Sequence, residues 1–514
     1  MSKTIIIIGA GLAGLSAALQ AAENGCNVKL VSSLPSERAQ SVMAEGGINA
    51  ALNTKDENDS PEEHFTDTIK AACGLADPNA VWGMTQAAPE LVHWLLKLGV
   101  KFNMSGYDDV DLRNFGGQKK KRTAFAQSDT GKQIMTAMID AVRRKEASGM
   151  VERFSHHSFL TLRLCGNICC GCVIRDEYSQ ETVELLGDAV IVATGGMHGL
   201  FGNTTGSLSN TGEVTAELFR LGVPLANGEM IQYHPTTVKC GGKRILISEA
   251  ARGEGGRLFA MKDGKQWYFM EEKYPELGNL MPRDITAREI WKVSHESEVF
   301  LDMTEISEEI ISNKLSGLAD DCMTYLHKDI RKEPVSVLPG IHYFMGGILV
   351  DEQHRTPIQN LYAAGECCAQ YHGANRLGGN SLLGALYGGR VAAKSACEQA
   401  DVVDLSCATQ IDFPPASQIS EIKQLNKVMQ ETMGVVRNEN TLLNGIQTVQ
   451  ALTGNLPLLG MAVLKSALAR KESRGAHWRE DYPKSNDNDY LKTTVARFDG
   501  KQIQISFVPV PERR

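Results

Sequence analysis

Close to its start the chain reads Thr4-Ile5-Ile6-Ile7-Ile8-Gly9-Ala10-Gly11-Leu12-Ala13-Gly14-Leu15-Ser16, and no other stretch limits the possible fold as tightly. Four consecutive isoleucines are β-branched and apolar, which suits a strand buried on both faces. Gly9, Gly11 and Gly14 then fall in the G-x-G-x-x-G spacing, and Leu15 to Ala22 continues as a helix of small residues. The first glycine allows the tight turn, the second lets a pyrophosphate approach the backbone, and the third lets helix and strand pack closely. The helix N-terminus turns free N–H groups and its positive dipole end towards the phosphates. The competing reading is a signal peptide or membrane anchor. Thr4 to Ala22 is uncharged and, at about 1.5 Å per residue, nearly long enough to span a bilayer. Three glycines and a β-branched run make a poor membrane helix, and only Lys3 precedes it. The strand–turn–helix context therefore favours nucleotide binding.

A chain of 514 residues exceeds what one hydrophobic core supports and divides into about two to four domains. Its hydrophobic content of 42% and charged content of 22% are those of a water-soluble globular protein. No other apolar run approaches membrane length, so the expected location is the cytoplasm, without direct membrane insertion. The net charge of −8 argues against nucleic acid as a partner. It also means that an anionic substrate would need a local cluster of cations. Twelve cysteines are few for a disulfide scaffold. Cys165, Cys169, Cys170 and Cys172 lack the separated C-x-x-C pairs of zinc or iron–sulfur sites. Leu164 to Cys169 reads instead as a hairpin turning at Gly166-Asn167, with structural thiols, and no metal site is expected.

Asn27 to Ser32 reads as the second parallel strand. It ends Val31-Ser32-Ser33, without the acid that takes ribose hydroxyls in NAD-binding units, so flavin adenine dinucleotide is the expected ligand. Arg38 to Ala51 is rich in small residues, and Gly46-Gly47 at its centre would let the backbone press against a flat ring. Residues 60–98 are largely helical by periodicity. Phe115-Gly116-Gly117 leads into Lys119-Lys120-Lys121-Arg122, which reads as a solvated loop, and Asp129-Thr130-Gly131 opens a helix to about Lys145. Residues 150–187 alternate as an antiparallel meander. Asp188 to Gly196 is a buried strand ending in a glycine turn, a second contact with the dinucleotide. No second complete G-x-G-x-x-G follows, so there is no visible NAD(P)H domain and the reductant comes from elsewhere.

The fold class expected is α/β: a Rossmann-like FAD-binding domain with an inserted α+β capping domain and a C-terminal helical domain. Residues 1–225 form the first part of the FAD-binding domain and 226–340 the more charged cap, with helices around Pro282 to Ser294 and Glu305 to Leu318. Parallel-sheet signals resume at Ile348 to Asp351 and at Leu361 to Glu366, followed by a helix from Gly384 to Gln399, so that 341–400 form the second part. Pro414-Pro415 marks a linker, 418–472 are helical, and Gln502 to Val510 is strand-like, within a C-terminal domain of 401–514.

Several motifs carry cationic and hydrogen-bonding groups: Gln232-Tyr233-His234-Pro235-Thr236, Ile247 to Gly256, Pro282-Arg283-Asp284, His342 to Gly347 and His372 to Leu377. Singly, each has a structural explanation. Together, beside glycine turns, His234, His342 and three arginines could clamp two carboxylates, with Arg376 offering a bidentate fork. With G-A-G-L-A-G-L (9–15), A-E-G-G-I-N-A-A-L (44–52), R-T-A-F-A-…-D-T-G (122–131), A-T-G-G (193–196) and E-S-R-G-A-H-W-R-E-D-Y-P (472–483), these motifs run in order over nearly the whole chain. The chain resembles the flavoprotein subunit of succinate dehydrogenase and fumarate reductase, a family that also includes soluble fumarate reductases and L-aspartate oxidase.

The resemblance implies an FAD-dependent oxidoreductase acting on a CH–CH group of fumarate or succinate. His234, Ser248, Glu249, His342 and Arg376 would bind the dicarboxylate, with Gly47 and the ring of Phe115 helping to twist it. Arg283 would be the proton donor, fed through Glu249 and Arg252. FAD contacts are implied at Gly9, Ala10, Gly11, Leu12, Ala13, Gly14, Ser32, Gln40, Ser41, Ala44, Glu45, Gly46, Gly47, Ala193, Thr194, Gly195, Glu213, Tyr343, Glu366, Arg376, Ser381 and Leu382. Partners implied are an iron–sulfur electron-transfer subunit and, through partner subunits, a membrane. A guanidinium is a poor acid, with pKa above about 12. Its use as donor requires desolvation, nearby cations and a carboxylate that reprotonates it. Two departures matter. Many membrane-bound members attach FAD through a histidine where this chain has Gln40, so FAD should be non-covalent and fumarate reduction the working direction. The usual threonine is Ser248, which keeps the hydroxyl. L-aspartate oxidase is the alternative enzyme, and a flavin-binding assembly protein without turnover is the alternative of another class.

Overall fold

The computed structural model describes residues 2–106, 109–400, 413 and 418–514; the expected linker at Pro414-Pro415 lies outside them. β1 (Thr4–Ile8) is the middle of a five-stranded sheet in the order Leu361–Ala363, Ala189–Val192, β1, β2 (Asn27–Ser32), Val151–Ser155, and every neighbouring pair is parallel. Ile5 and Ile7 pack into the cluster that holds α1 (Leu12–Glu23), while Ile6 and Ile8 face Val190, Val192 and Leu361 on the other side. Both faces are covered, which is why this strand reads as an unbroken apolar run.

Small residues set how closely the layers approach. Ser16 Oγ donates to Leu386 O at 2.6 Å, and a Cβ on Gly389 would stand 2.3 Å from Ala13 O. α1 and the helix Asn380–Gln399 therefore lie against each other almost backbone to backbone. Only small side chains at that seam permit it.

Residues 247–337, with Phe115, share a separate apolar core around the four strands Lys265–Trp267, Arg257–Lys262, Val299–Asp302 and Val335–Ser336 and the helix Arg283–Val293. The helix expected from Glu305 to Leu318 is two short ones, Glu308–Lys314 and Ser316–Asp321. Leu315 leaves helical geometry at φ −127° and ψ 14° and is fully buried, so burial of that side chain interrupts the period. Helices Ile419–Thr432, Glu439–Val449 and Asn455–Ala469 pack through Leu425, Met429, Leu442 and Leu459. The hairpin Lys492–Phe498 and Ile503–Pro509 closes the C-terminal part.

Four further readings of the sequence are corrected. Val151–Ser155 extends the parallel sheet, and only His157–Cys165, Ile168–Asp176 and Thr182–Leu186 form the antiparallel meander. Gly347–Leu349 does pair in parallel, with Cys368–Ala369, but in a second sheet, where Leu225–Ala226 is its antiparallel neighbour, because a three-residue apolar strand carries no signal of its sheet. Cys169, Cys170 and Cys172 are free and buried, but Cys165 is disulfide-bonded. Among the described residues no metal-ligating cluster occurs, and no helix is long and apolar enough to cross a membrane.

The fourth correction concerns the basic run. Lys119 and Lys121 are exposed, whereas Arg122 is fully buried, with Nη2 2.8 Å from Asp59 Oδ1 and 3.1 Å from Asp67 Oδ2. Removing one partner of a buried charge cluster leaves the others desolvated and unpaired, at a cost of about 3–5 kcal/mol. Arg122→Met is expected to lose about that much stability in denaturant unfolding, and a loss under about 1 kcal/mol would contradict the assignment.

Candidate active site

A cleft of about 1050 Å³ runs from the β1–α1 turn to the strands around His234 and His342. This is large enough for a dinucleotide together with a small substrate. At its nucleotide end Gly9 has φ +110°, and a Cβ there would stand 2.2 Å from Ala193 O; a Cβ on Gly14 would stand 1.8 Å from Gly9 O. A Cβ on Gly11 would meet nothing closer than Ser41 Oγ at 3.6 Å, so the backbone there is open to a ligand. Ala10, Leu12, Ala13, Ala193, Thr194, Gly195 and Glu213 line the same end. Ser41 Oγ accepts from Leu12 N at 3.2 Å. Ser32 Oγ lines the cleft, buried and without a hydrogen-bond partner, at the strand end where an acid is missing.

In the middle of the cleft Glu366 Oε1 accepts from Phe344 N at 3.0 Å, and burial pushes the Glu366 carboxyl up to about 7. Ser381 and Leu382 line it from the first turn of the helix Asn380–Gln399. Gln40 Oε1 accepts from Ser207 N at 2.5 Å. Ala44, Glu45, Gly46 and Gly47 also face the cleft. Gly46 lies on the Phe115 ring, where a Cβ would come within 2.9 Å, and Gly47 has φ +137° against Ala124 O. Glycine is thus required at both positions by the protein's own packing. The Glu45 carboxyl is pushed up to about 8, by burial first and the Asp321 carboxylate next. A glycine turn, an unpartnered Ser32 hydroxyl and the Glu366 carboxyl in the middle of the cleft fit the phosphates and hydroxyls of a flavin dinucleotide.

The other end is built by the strand Ile231–Cys240, which pairs with Leu338–Phe344 and Lys243–Leu246. His234 and His342 meet edge to face, with ring centroids 5.2 Å apart. His234 Nδ1 is 3.1 Å from Thr236 O, and its Nε2 is buried without a partner. His342 Nδ1 is 2.8 Å from Thr205 Oγ1. Burial, and then the Arg283 guanidinium, hold both imidazoles well below their ordinary range, so they are neutral hydrogen-bonding groups.

The positive charge comes from arginines. Arg283, on the first turn of its helix, donates from Nε to Glu249 Oε2 at 2.7 Å, with Nη2 at 2.6 Å, and from Nη1 to Gln232 Oε1 at 3.2 Å. Glu249 follows the N-cap Ser248, and its other oxygen accepts from Gly116 N at 3.0 Å. Arg252 stands behind it, with Nη2 3.5 Å from Glu249 Oε1 and Nη1 donating to Asn279 O at 2.6 Å. Burial would raise the Glu249 carboxyl, but Arg283 and Arg252 outweigh it and hold it below its usual range. Arg376 lies 4.3 Å from the Tyr343 ring centroid, its Nε buried without a partner. Burial first and Arg283 next push its pKa down to about 9.

The cleft wall therefore brings together His234, Ser248, Glu249, Arg283, His342, Tyr343, Arg376, Phe115 and Gly47, while Gly14 and Arg252 support it from behind. Two neighbours have no role in the sequence reading. Gln232 Nε2 donates to Asn375 Oδ1 at 2.9 Å and to Arg376 O at 2.8 Å, so one amide joins Arg283 to the Arg376 backbone. Asn375 Nδ2 in turn donates to Asp284 Oδ1 at 2.9 Å. The signal was their place inside Q-Y-H-P-T and H-G-A-N-R-L.

The chain is similar to known flavoproteins over nearly all of its length. Residues 4–382 match a family model described as an FAD binding domain, and 452–513 one described as fumarate reductase flavoprotein C-term. The succinate dehydrogenase flavoprotein subunit of Bacillus subtilis is 38% identical, over 100% of this chain and 98% of its own. The 8-methylmenaquinol:fumarate reductase flavoprotein subunit of Wolinella succinogenes is 32% identical, over 100% and 92%. The solved structure of FrdA from E. coli quinol fumarate reductase, a mutated form, superposes with a TM-score of 0.90 at 28% identity, over 99% and 97%.

A carboxyl whose folded pKa, about 7, lies above its ordinary 4.5 contributes stability that is present below pH 4.5 and lost as pH rises through 7. Glu366→Gln removes that loss. Between pH 5 and 8 the wild-type apoprotein is expected to fall by about 3 kcal/mol at most relative to the variant in urea unfolding; parallel curves would contradict the burial argument.

Proposed function

We propose, from the premise that this chain belongs to the succinate dehydrogenase/fumarate reductase flavoprotein family of FAD-dependent oxidoreductases, that it reduces fumarate. FAD, when bound along the glycine turn and beside Glu366, supplies hydride transfer at N5. Everything else is done by the chain. Arg376 binds one substrate carboxylate through its unused donors, and His342 and His234 hydrogen-bond to the dianion as neutral imidazoles, with the Ser248 hydroxyl beside them. Negative charge grows on the carboxylate conjugated to the attacked bond. Fixed donors at such a position are worth about 3–4 kcal/mol each.

Arg283 gives the proton to the neighbouring carbon. A guanidinium serves as an acid only where a base returns the proton at once, and Glu249, bonded to Arg283 at 2.7 Å, is that base. Arg252 keeps Glu249 ionised and so ready. This Arg283–Glu249 pair beside Arg376, which among the described residues has no carboxylate partner, is the single observation that carries the reading. Gln40 replaces the histidine expected for covalent attachment, and its side chain is engaged by Ser207 N, which supports non-covalent FAD and the reductive direction. Relatives carry the word subunit in their names. We assign electron delivery to a separate iron–sulfur subunit, through which membrane association would also run.

Purified holoprotein is expected to reoxidise reduced viologen on adding fumarate and to form no peroxide from L-aspartate with oxygen; the reverse result selects the aspartate oxidase reading, and silence in both selects a protein kept for assembly. Arg283→Lys should lower fumarate turnover by about a thousandfold at unchanged FAD content, the range expected of a lost proton donor. A variant within tenfold of wild type would remove Arg283 from that role. Acid precipitation should release all the flavin into the supernatant, and colour kept by the pellet would refute non-covalent binding.

A further inference from the structure

Arg244 lies in the strand Lys243–Leu246, paired with the strand that carries His234, and it lines the same cleft as the substrate-end residues. Its Nε donates to Thr237 Oγ1 at 2.6 Å and its Nη2 to Leu338 O at 3.3 Å. The stem crosses Gly340, where a Cβ would stand 2.5 Å from Nε and 2.7 Å from Cδ. Glycine two residues before His342 thus leaves the space in which this side chain is laid down. The arginine is fixed by the fold and is not a loose surface group.

Among the described residues no carboxylate stands within ion-pair distance of Arg244. Arg257 and Arg331 are each matched, to Glu271 at 2.5 Å and Glu308 at 2.7 Å. Arg244 is only partly buried, and its remaining donors are open to an anion. The chain as a whole carries −8, and Asp321 and Glu45 line the same cleft. That net charge disfavours a dianion on average, and a fixed rim cation raises its capture rate in a salt-dependent way.

We propose that Arg244 is the entry residue for the dicarboxylate: it takes one carboxylate at the cleft mouth and positions the dianion for transfer to Arg376 and the two histidines. This rests on the dicarboxylate reading above. Arg244 is a positioning residue with no contact to the reacting carbons, so it should govern capture and not the chemical step.

The test is malonate, a dicarboxylate with no carbon–carbon bond that the site could reduce, titrated into the holoenzyme and followed by perturbation of the flavin spectrum. For wild type the Kd should rise with ionic strength. Arg244→Gln should raise the Kd at low salt by about tenfold and flatten the salt dependence, so that the two proteins converge at high salt. Arg244→Lys should recover most of the affinity, and both variants should keep their FAD and, where turnover is measured, kcat within about twofold. Unchanged malonate affinity and salt slope in Arg244→Gln would overturn the proposal, as would equal losses in the lysine variant, which would make the effect one of packing. If wild type itself neither binds malonate nor turns over fumarate or succinate, the dicarboxylate reading falls, and this proposal falls with it.

Discussion

The structure depends on one arrangement of buried charge: the Glu249 carboxylate bonded to Arg283 and backed by Arg252, with Arg376 close by and, among the described residues, without a carboxylate of its own. Taking a charge out of water costs several kcal/mol per ion, even after relaxation. The protein offsets part of that cost with fixed neutral donors and acceptors: Gly116 N, Gln232 Oε1 and Asn279 O. Three guanidiniums around one carboxylate leave an excess of positive charge in a low-dielectric pocket, where a dianion is attracted far more strongly than in water. In the proposed reaction the same excess stabilises charge that develops as the bond is reduced, without reorganisation at that moment.

The fold places this pocket next to the flavin site by letting different cores meet along a single cleft. The nucleotide end stands at the carboxyl ends of β1 and of Ala189–Val192, the customary position for ligands in open parallel sheets. The substrate end is carried by strands and short helices of residues 231–256 and 338–344, and by the first turn of Arg283–Val293. Phe115 links the ends: it packs in the core of residues 247–337, touches Gly46, and the residue after it donates to Glu249. Movement of the Arg283 helix relative to the parallel sheet would therefore alter the proton-donor geometry and the wall of the nucleotide cleft together.

Much of this was legible in the residues. The isoleucine run and its glycines predict β1, the turn and α1, because burial on both faces and close backbone approach leave few other choices. His234, His342, Arg283 and Arg376 line one cleft wall, as the motif clustering suggested, and Ser248 and Glu249, which the resemblance implied, line it too. What could not be read depended on distant partners. Arg122 looked solvated beside three lysines, because Asp59 and Asp67 lie far back in the chain. Val151–Ser155 reads with the meander that follows because it mixes apolar Val151 and Phe154 with polar Glu152, Arg153 and Ser155. Gln232 is marked only by its place in Q-Y-H-P-T, and Arg244 by nothing local; Gln232 matters through bonds to Arg283 and Asn375, and Arg244 through the space above Gly340. Polar residues that act by joining others leave their signal in three dimensions.

The most direct test of the central claim is an anaerobic stopped-flow experiment on the isolated holoprotein, its flavin chemically reduced beforehand, mixed with fumarate and followed by flavin absorbance. The account predicts full reoxidation in one exponential phase that saturates with fumarate and disappears in Arg283→Lys, with the reduced flavin still bound. A flavin that stays reduced in the presence of saturating fumarate, or one that reoxidises equally fast in the variant, would contradict it.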